Sequence, residues 1–141
     1  MSLSLAVLAL ASFSLDANPP IVESEPTGAQ AVAETEVVQA ARSWLALVDA
    51  HRWDESWRAT GTAFRRLNTA STWSSLSEKV RVPLGGVGSR TLASQEELPA
   101  PPHGYKVVRF RTSFTAKPET TETVTLELEG RVWRVVGYII G

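Results

Sequence analysis

The chain has 141 residues, 43% of them hydrophobic and 21% charged, with a formal net charge of -1 and no cysteine. These figures suit one soluble globular domain and exclude a disulfide framework, a thiolate zinc site, a cysteine nucleophile and a lipidated-cysteine anchor. Five tryptophans with ordinary Gly and Pro contents exclude a disordered or collagen-like chain, and the near-neutral charge argues against nucleic acid as the main partner.

Residues 2–15 (SLSLAVLALASFSL) carry no charge. The run is shorter than the ~20 apolar residues a membrane span needs, and it fits the apolar core of a secretory signal. Small residues two apart mark cleavage after Ala11 or Ser14, with Ala17 a poorer third, so residues 1–17 read as a signal peptide. No Lys or Arg precedes the run, and a start further upstream would supply the usual basic residues. Residues 18–30, with Pro19, Pro20 and Pro26, read as a linker, and residues 31–141 as the folded domain. All 14 basic residues but only 12 of the 15 acidic ones lie at or after Glu34, so the folded part is near +2. That balance is too weak to imply a phosphate or acidic-lipid partner. The expectation is an exported protein, periplasmic or secreted, with no stable membrane anchor after cleavage.

A helical period runs through Val37, Ala41, Trp44 and Val48, widened by Val38 and Leu45, with Glu34, Gln39, Arg42 and Asp49 off the stripe. Thr27 and Gln30 form a capping-box pattern that would start this helix before Glu34. A short second helix is expected around residues 54–59, with Trp53 and Trp57 four apart. Thr60 and Gly61 interrupt it, and Phe64 and Leu67 mark another turn or two. Ser71 or Thr72 caps a third helix whose stripe is Trp73, Leu76 and Val80, and Pro83 ends it.

Beyond Pro83 the period becomes two. Four strands are expected at residues 87–97, 105–116, 121–128 and 131–140, the first two separated by LPAPPHG at 98–104. A hairpin turning on Glu129-Gly130 puts Leu128 opposite Arg131, Leu126 opposite Trp133 and Val124 opposite Val135. One turning on residues 118–120 puts Phe114 opposite Val124, Thr112 opposite Leu126 and Phe110 opposite Leu128. It also pairs Arg111 with Glu127 and Arg109 with Glu129 on the other face. The face toward the helices is then Phe110, Phe114, Val124, Leu126, Leu128, Trp133, Val135 and Ile139. The outer face carries Val107, Arg109, Arg111, Arg134, Val136, Tyr138 and Ile140. The plan is α+β, three N-terminal helices packed on a curved four-stranded antiparallel sheet.

The stretches WLALVD (44–49) and WDESW (53–57) resemble the first two helices of the NTF2-like (cystatin-like roll) superfamily. With Trp73, VPLG (82–85), Ser89-Arg90, Leu98-Pro99, PPHGY (101–105), FRT (110–112), Glu122-Thr123 and WRVVGY (133–138), the chain from about Val37 resembles the bacterial domain of unknown function 4019 family. The resemblance implies a cone-like fold and export, and no particular chemistry.

Glu122 is the residue that draws most attention, because the register sets its carboxylate on the core face opposite Gly137. A carboxylate there must be paired, hydrated or protonated. The structural reading is an ion pair with Arg90 or Arg81, and the functional one is a pocket acid or base. Trp73 and Trp133 complete the candidates for a pocket or polar core. His51 and His103 lie far apart and outside any ligand-spaced cluster, so surface roles are expected and no metal or cofactor is implied. Asp49, Asp54 and Glu55 straddle a helix corner, where capping and solvation are expected. No Gly-x-Ser-x-Gly elbow supports a hydrolase, and Gly85-Gly86-Val87-Gly88 reads as a turn. The function expected is non-catalytic, binding a small apolar ligand in the cone or an envelope protein on the outer face. The outer strip of Val107, Val136, Tyr138 and Ile140, rimmed by Arg109, Arg111 and Arg134, also suits a homodimer contact. The alternative is a small-molecule isomerase or dehydratase with Glu122 as its acid or base.

Overall fold

A computed structural model describes residues 34–100 and 102–141. The signal segment 1–17, the linker 18–30 and the Thr27–Gln30 capping pattern lie outside the described residues. Among the described residues four helices come first: α1 (Glu36–Asp49), α2 (Trp53–Arg58), α3 (Thr62–Leu67) and α4 (Ala70–Arg81), the last running into a 3-10 turn at Val82–Leu84. The four strands follow as β1 (Val87–Leu98), β2 (Tyr105–Phe114), β3 (Lys117–Glu129) and β4 (Val132–Ile140). They form one antiparallel sheet in the order β1-β2-β3-β4. The α+β plan holds, and the turn expected at Phe64 and Leu67 is a complete helix of its own.

Local chemistry explains the helix limits. Thr35 caps α1 by accepting a hydrogen bond from the Val38 amide at 3.2 Å, and α1 buries Val37, Val38, Ala41, Trp44, Leu45 and Val48 as the stripe requires. Its end is closed by His51, whose φ of 59° is the left-handed conformation usually left to glycine. The Arg52 amide then reaches back to the Leu47 carbonyl at 2.9 Å, and the His51 ring stacks on Trp53. Thr69, rather than Ser71 or Thr72, caps α4, accepting from the Thr72 amide at 3.1 Å.

The core lies between α1, α4 and the sheet face carrying Val108, Phe110, Val124, Leu126 and Val135. Trp44 and Trp73 pack together at 5.8 Å between ring centroids, and Ser56 ties both indoles. Its carbonyl accepts from Trp44 Nε1 and its hydroxyl from Trp73 Nε1, each at 2.9 Å. Polar atoms that the tryptophans bring into the core are thus satisfied.

Both hairpins differ in register from expectation. The first turns on Thr115-Ala116, six positions away in pairing: Phe110 lies opposite Glu122, Val108 opposite Val124 and Arg111 opposite Thr121. The expected Arg111–Glu127 and Arg109–Glu129 pairs therefore do not form. Arg109 bonds Glu96 on β1, and Glu129 accepts from the Thr62 amide at 2.8 Å. The second hairpin turns on Gly130-Arg131, with Gly130 at φ 63°, and sets Leu126 opposite Val135. Both slips are even-numbered, so most side chains keep their expected face. One bulge changes that. Thr125 lies opposite Gly137 while Leu126 lies opposite Val135, leaving Val136 extra on β4. Past it the alternation inverts: Ile139 is 66% exposed, whereas Tyr138 packs edge-on against Trp44. Glu122 lies opposite Ile140 instead of Gly137.

Candidate functional site

The inner sheet face carries a diagonal of polar residues, one from each strand: Arg90 on β1, Thr112 on β2, Glu122 on β3 and Tyr138 on β4. Glu122 is wholly buried. Its Oε1 accepts from Arg90 Nε at 2.7 Å and from the Thr112 hydroxyl at 2.6 Å, and its Oε2 accepts from the Tyr138 hydroxyl. Two helix ends complete the cluster. Asp49, the last residue of α1, accepts from Arg90 through both oxygens at 2.8 and 3.0 Å. It also accepts from Arg81 Nη2, at the end of α4, at 2.8 Å. The remaining face of Arg81 lies over the Phe114 ring at 4.9 Å.

Two carboxylates and two guanidiniums thus sum to zero charge in the interior, the condition under which buried ions are tolerated. Burial alone would raise the Asp49 pKa, but hydrogen bonds from Arg90 and Arg81 outweigh it and hold the carboxyl below its ordinary range. Burial would likewise lower that of Arg90, and its hydrogen bonds to Asp49 and Glu122 raise it instead. For Tyr138 burial and the adjacent Glu122 charge act together, pushing the phenol up. The cluster joins all four strands to two helix ends.

Of the residues singled out from sequence, Glu122 and Arg90 meet as an ion pair, while Arg81 joins through Asp49 and makes no bond to Glu122. Asp49 was expected to cap or be solvated with Asp54 and Glu55; those two do pair at the surface, with Arg58 and Arg52, but Asp49 turns inward. A carboxylate in the last turn of a helix opposes the helix dipole, and that is the signal by which Asp49 could have been found. Thr112 and Tyr138 went unrecognised as partners of Glu122, the second because the bulge moves it between faces.

Beside the cluster lies a cleft of about 260 Å³ lined by Trp73, Leu76, Ser77, Val80, Arg81, Tyr138 and Ile140. Helix α4 presents itself there against expectation. Its buried positions are Trp73, Ser77 and Arg81, while Leu76 and Val80 stand 49% and 48% exposed. Leu76 and Val80 share one helix face, as their spacing predicts, but the polar face turns to the interior, where Arg81 meets Asp49.

The outer strip is broken. Tyr138 and Ile140 line this inner cleft, Val136 contacts the Gly61 region, and Val107 is buried. Arg111 borders a polar groove with Glu119 and Thr121. Trp133 and Arg134 line a separate groove of about 210 Å³ with Trp44 and Leu47. His51 and His103 are exposed in turns. No helix among the described residues is long and apolar enough to cross a membrane. No curated protein matches the chain. Residues 40–138, most of the chain, match the family model described as Protein of unknown function (DUF4019), and the chain belongs to that family.

Proposed function

We propose that the chain is an exported, non-catalytic binding module of NTF2-like type, whose cleft between α4 and β4 takes a small apolar ligand. The observation that carries this reading is the placement of Leu76 and Val80, half exposed beside Trp73, Tyr138 and Ile140 around one concavity. Small-ligand sites are concave, mostly apolar and edged by a few polar groups. Export is supported by the uncharged apolar run at 2–15, with small residues suited to cleavage near its end.

The alternative, an isomerase or dehydratase, needs substrate to reach Glu122. That carboxylate is wholly buried, three hydrogen bonds occupy its oxygens, and it is not among the residues lining the cleft. A group so engaged is a poor proton carrier for an incoming molecule.

Amide NMR of the full chain titrated with ethylbenzene tests the binding reading. Saturable shifts should concentrate at Trp73, Leu76, Val80, Tyr138 and Ile140, and Val80→Glu should abolish them without lowering the unfolding temperature. Shifts scattered over the surface, or unaffected by Val80→Glu, would contradict it.

A further inference from the structure

The polar side chains of the cleft are incompletely bonded. Among the described residues, Arg81 Nε, Arg81 Nη1 and the Ser77 hydroxyl are buried side-chain polar atoms with no hydrogen-bond partner. All three belong to side chains that line the same cleft. The Arg81 side chain is only 3% exposed, so the three N–H bonds on Nε and Nη1 are shielded from bulk solvent and meet no acceptor among the described residues. An unmet buried donor costs free energy that an incoming acceptor would recover. Guanidinium N–H groups donate only, and a serine hydroxyl can donate, so the missing partner is an acceptor.

Charge narrows the class. Asp49 and Glu122 already balance Arg81 and Arg90, so an added carboxylate would leave the buried cluster with an excess negative charge. A neutral acceptor satisfies the same donors without that cost. Resting on the cleft reading above, we infer that the ligand is a small apolar molecule ending in a neutral carbonyl oxygen, such as a ketone, ester or amide. Arg81 and Ser77 hold the oxygen, and Trp73, Leu76, Val80 and Ile140 hold the apolar body.

Binding of acetophenone, ethylbenzene and benzoate to the full chain tests this, read by NMR with the arginine Nε–H signals included. Acetophenone should bind about tenfold more tightly than ethylbenzene, the expectation for one hydrogen bond to a charged donor, and should shift the Arg81 Nε–H signal. Ser77→Ala should weaken acetophenone about threefold, leave ethylbenzene unchanged, and keep stability, since the hydroxyl it removes has no partner. Equal affinities for acetophenone and ethylbenzene would overturn the carbonyl inference while leaving the apolar cleft standing. Tightest binding by benzoate would overturn it in favour of an anion. Failure of all three probes would overturn both the inference and the cleft reading.

Discussion

Among the described residues, replacing Asp49 by alanine removes the only acceptor of Arg81 and two of the three hydrogen bonds of Arg90. Arg90 would still hold Glu122. Arg81, 3% exposed and with Nε and Nη1 already idle, would keep no hydrogen bond among the described residues. Breaking a buried ion pair by deleting one partner costs about 3–5 kcal/mol. The Asp49 side chain is 27% exposed, so water can enter the vacated site and the lower end of that range applies. With an m-value of about 1.5 kcal/mol per M urea, a loss of about 3 kcal/mol lowers the unfolding midpoint by roughly 2 M. Asp49→Asn keeps an acceptor oxygen and should cost about half as much. Urea unfolding followed by the fluorescence of the five tryptophans reads both variants. A loss below about 0.5 kcal/mol for Asp49→Ala, the size of an ordinary surface substitution, would show that Arg81 does not depend on Asp49 for its burial.

Because the folded-state pKa of Asp49 is depressed, its contribution is complete above its unfolded pKa near 4 and is lost as pH falls toward the folded value; Asp49→Asn should flatten the acid limb of stability against pH. The raised pKa of Tyr138 has the opposite sign: its contribution is complete below the unfolded value near 10 and is lost as pH rises past it, so Tyr138→Phe should flatten the alkaline limb. A wild-type alkaline limb unchanged by that substitution would contradict the buried Tyr138–Glu122 contact. A Cβ on Gly61 would sit 2.8 Å from Val136 Cγ1 and 3.3 Å from Arg134 Cβ, and the Gly61 amide is tied to the Val135 carbonyl at 2.8 Å. Gly61→Ala should therefore cost about 1–3 kcal/mol as overpacking, measured by thermal unfolding, and an unchanged melting temperature would show that α3 can shift freely off β4.

The helix α1 stripe and the four strands were legible because hydrophobic period reports burial directly. Register was not, since the first turn, Thr115-Ala116, has neither Gly nor Pro, and Pro118 drew the expectation three residues downstream. Pro118 is instead the second residue of β3, near the strand start where its missing N–H does least harm. Face assignment survived for Phe110, Phe114, Val124, Leu126 and Val135 because the errors were even-numbered. It failed for Ile139, Tyr138 and Ile140, because nothing in an alternating pattern announces a bulge. At the site, Glu122 was visible as a carboxylate among apolar neighbours on one face. Asp49, by contrast, sat off an apolar stripe, where polarity is ordinary, and only its position against the helix dipole distinguished it. Leu76 and Val80 have helical spacing for a buried face, but whether that face turns inward was decided by an ion pair between Arg81 and a residue 32 positions away.

Glu122 accepts hydrogen bonds from side chains of the other three strands, the arrangement of a structural acceptor. Urea unfolding of the wild type, Glu122→Ala and Glu122→Gln tests that role most directly. Alanine leaves Arg90 Nε, Thr112 and Tyr138 without their shared acceptor and the interior with an excess positive charge. A structural role predicts a loss of about 3–5 kcal/mol for alanine. It predicts a smaller loss, about 1–3 kcal/mol, for glutamine, which keeps the shape and one acceptor oxygen. Unchanged or increased stability in both variants would contradict it, since a carboxylate reserved for catalysis commonly costs the fold and its removal relieves that cost.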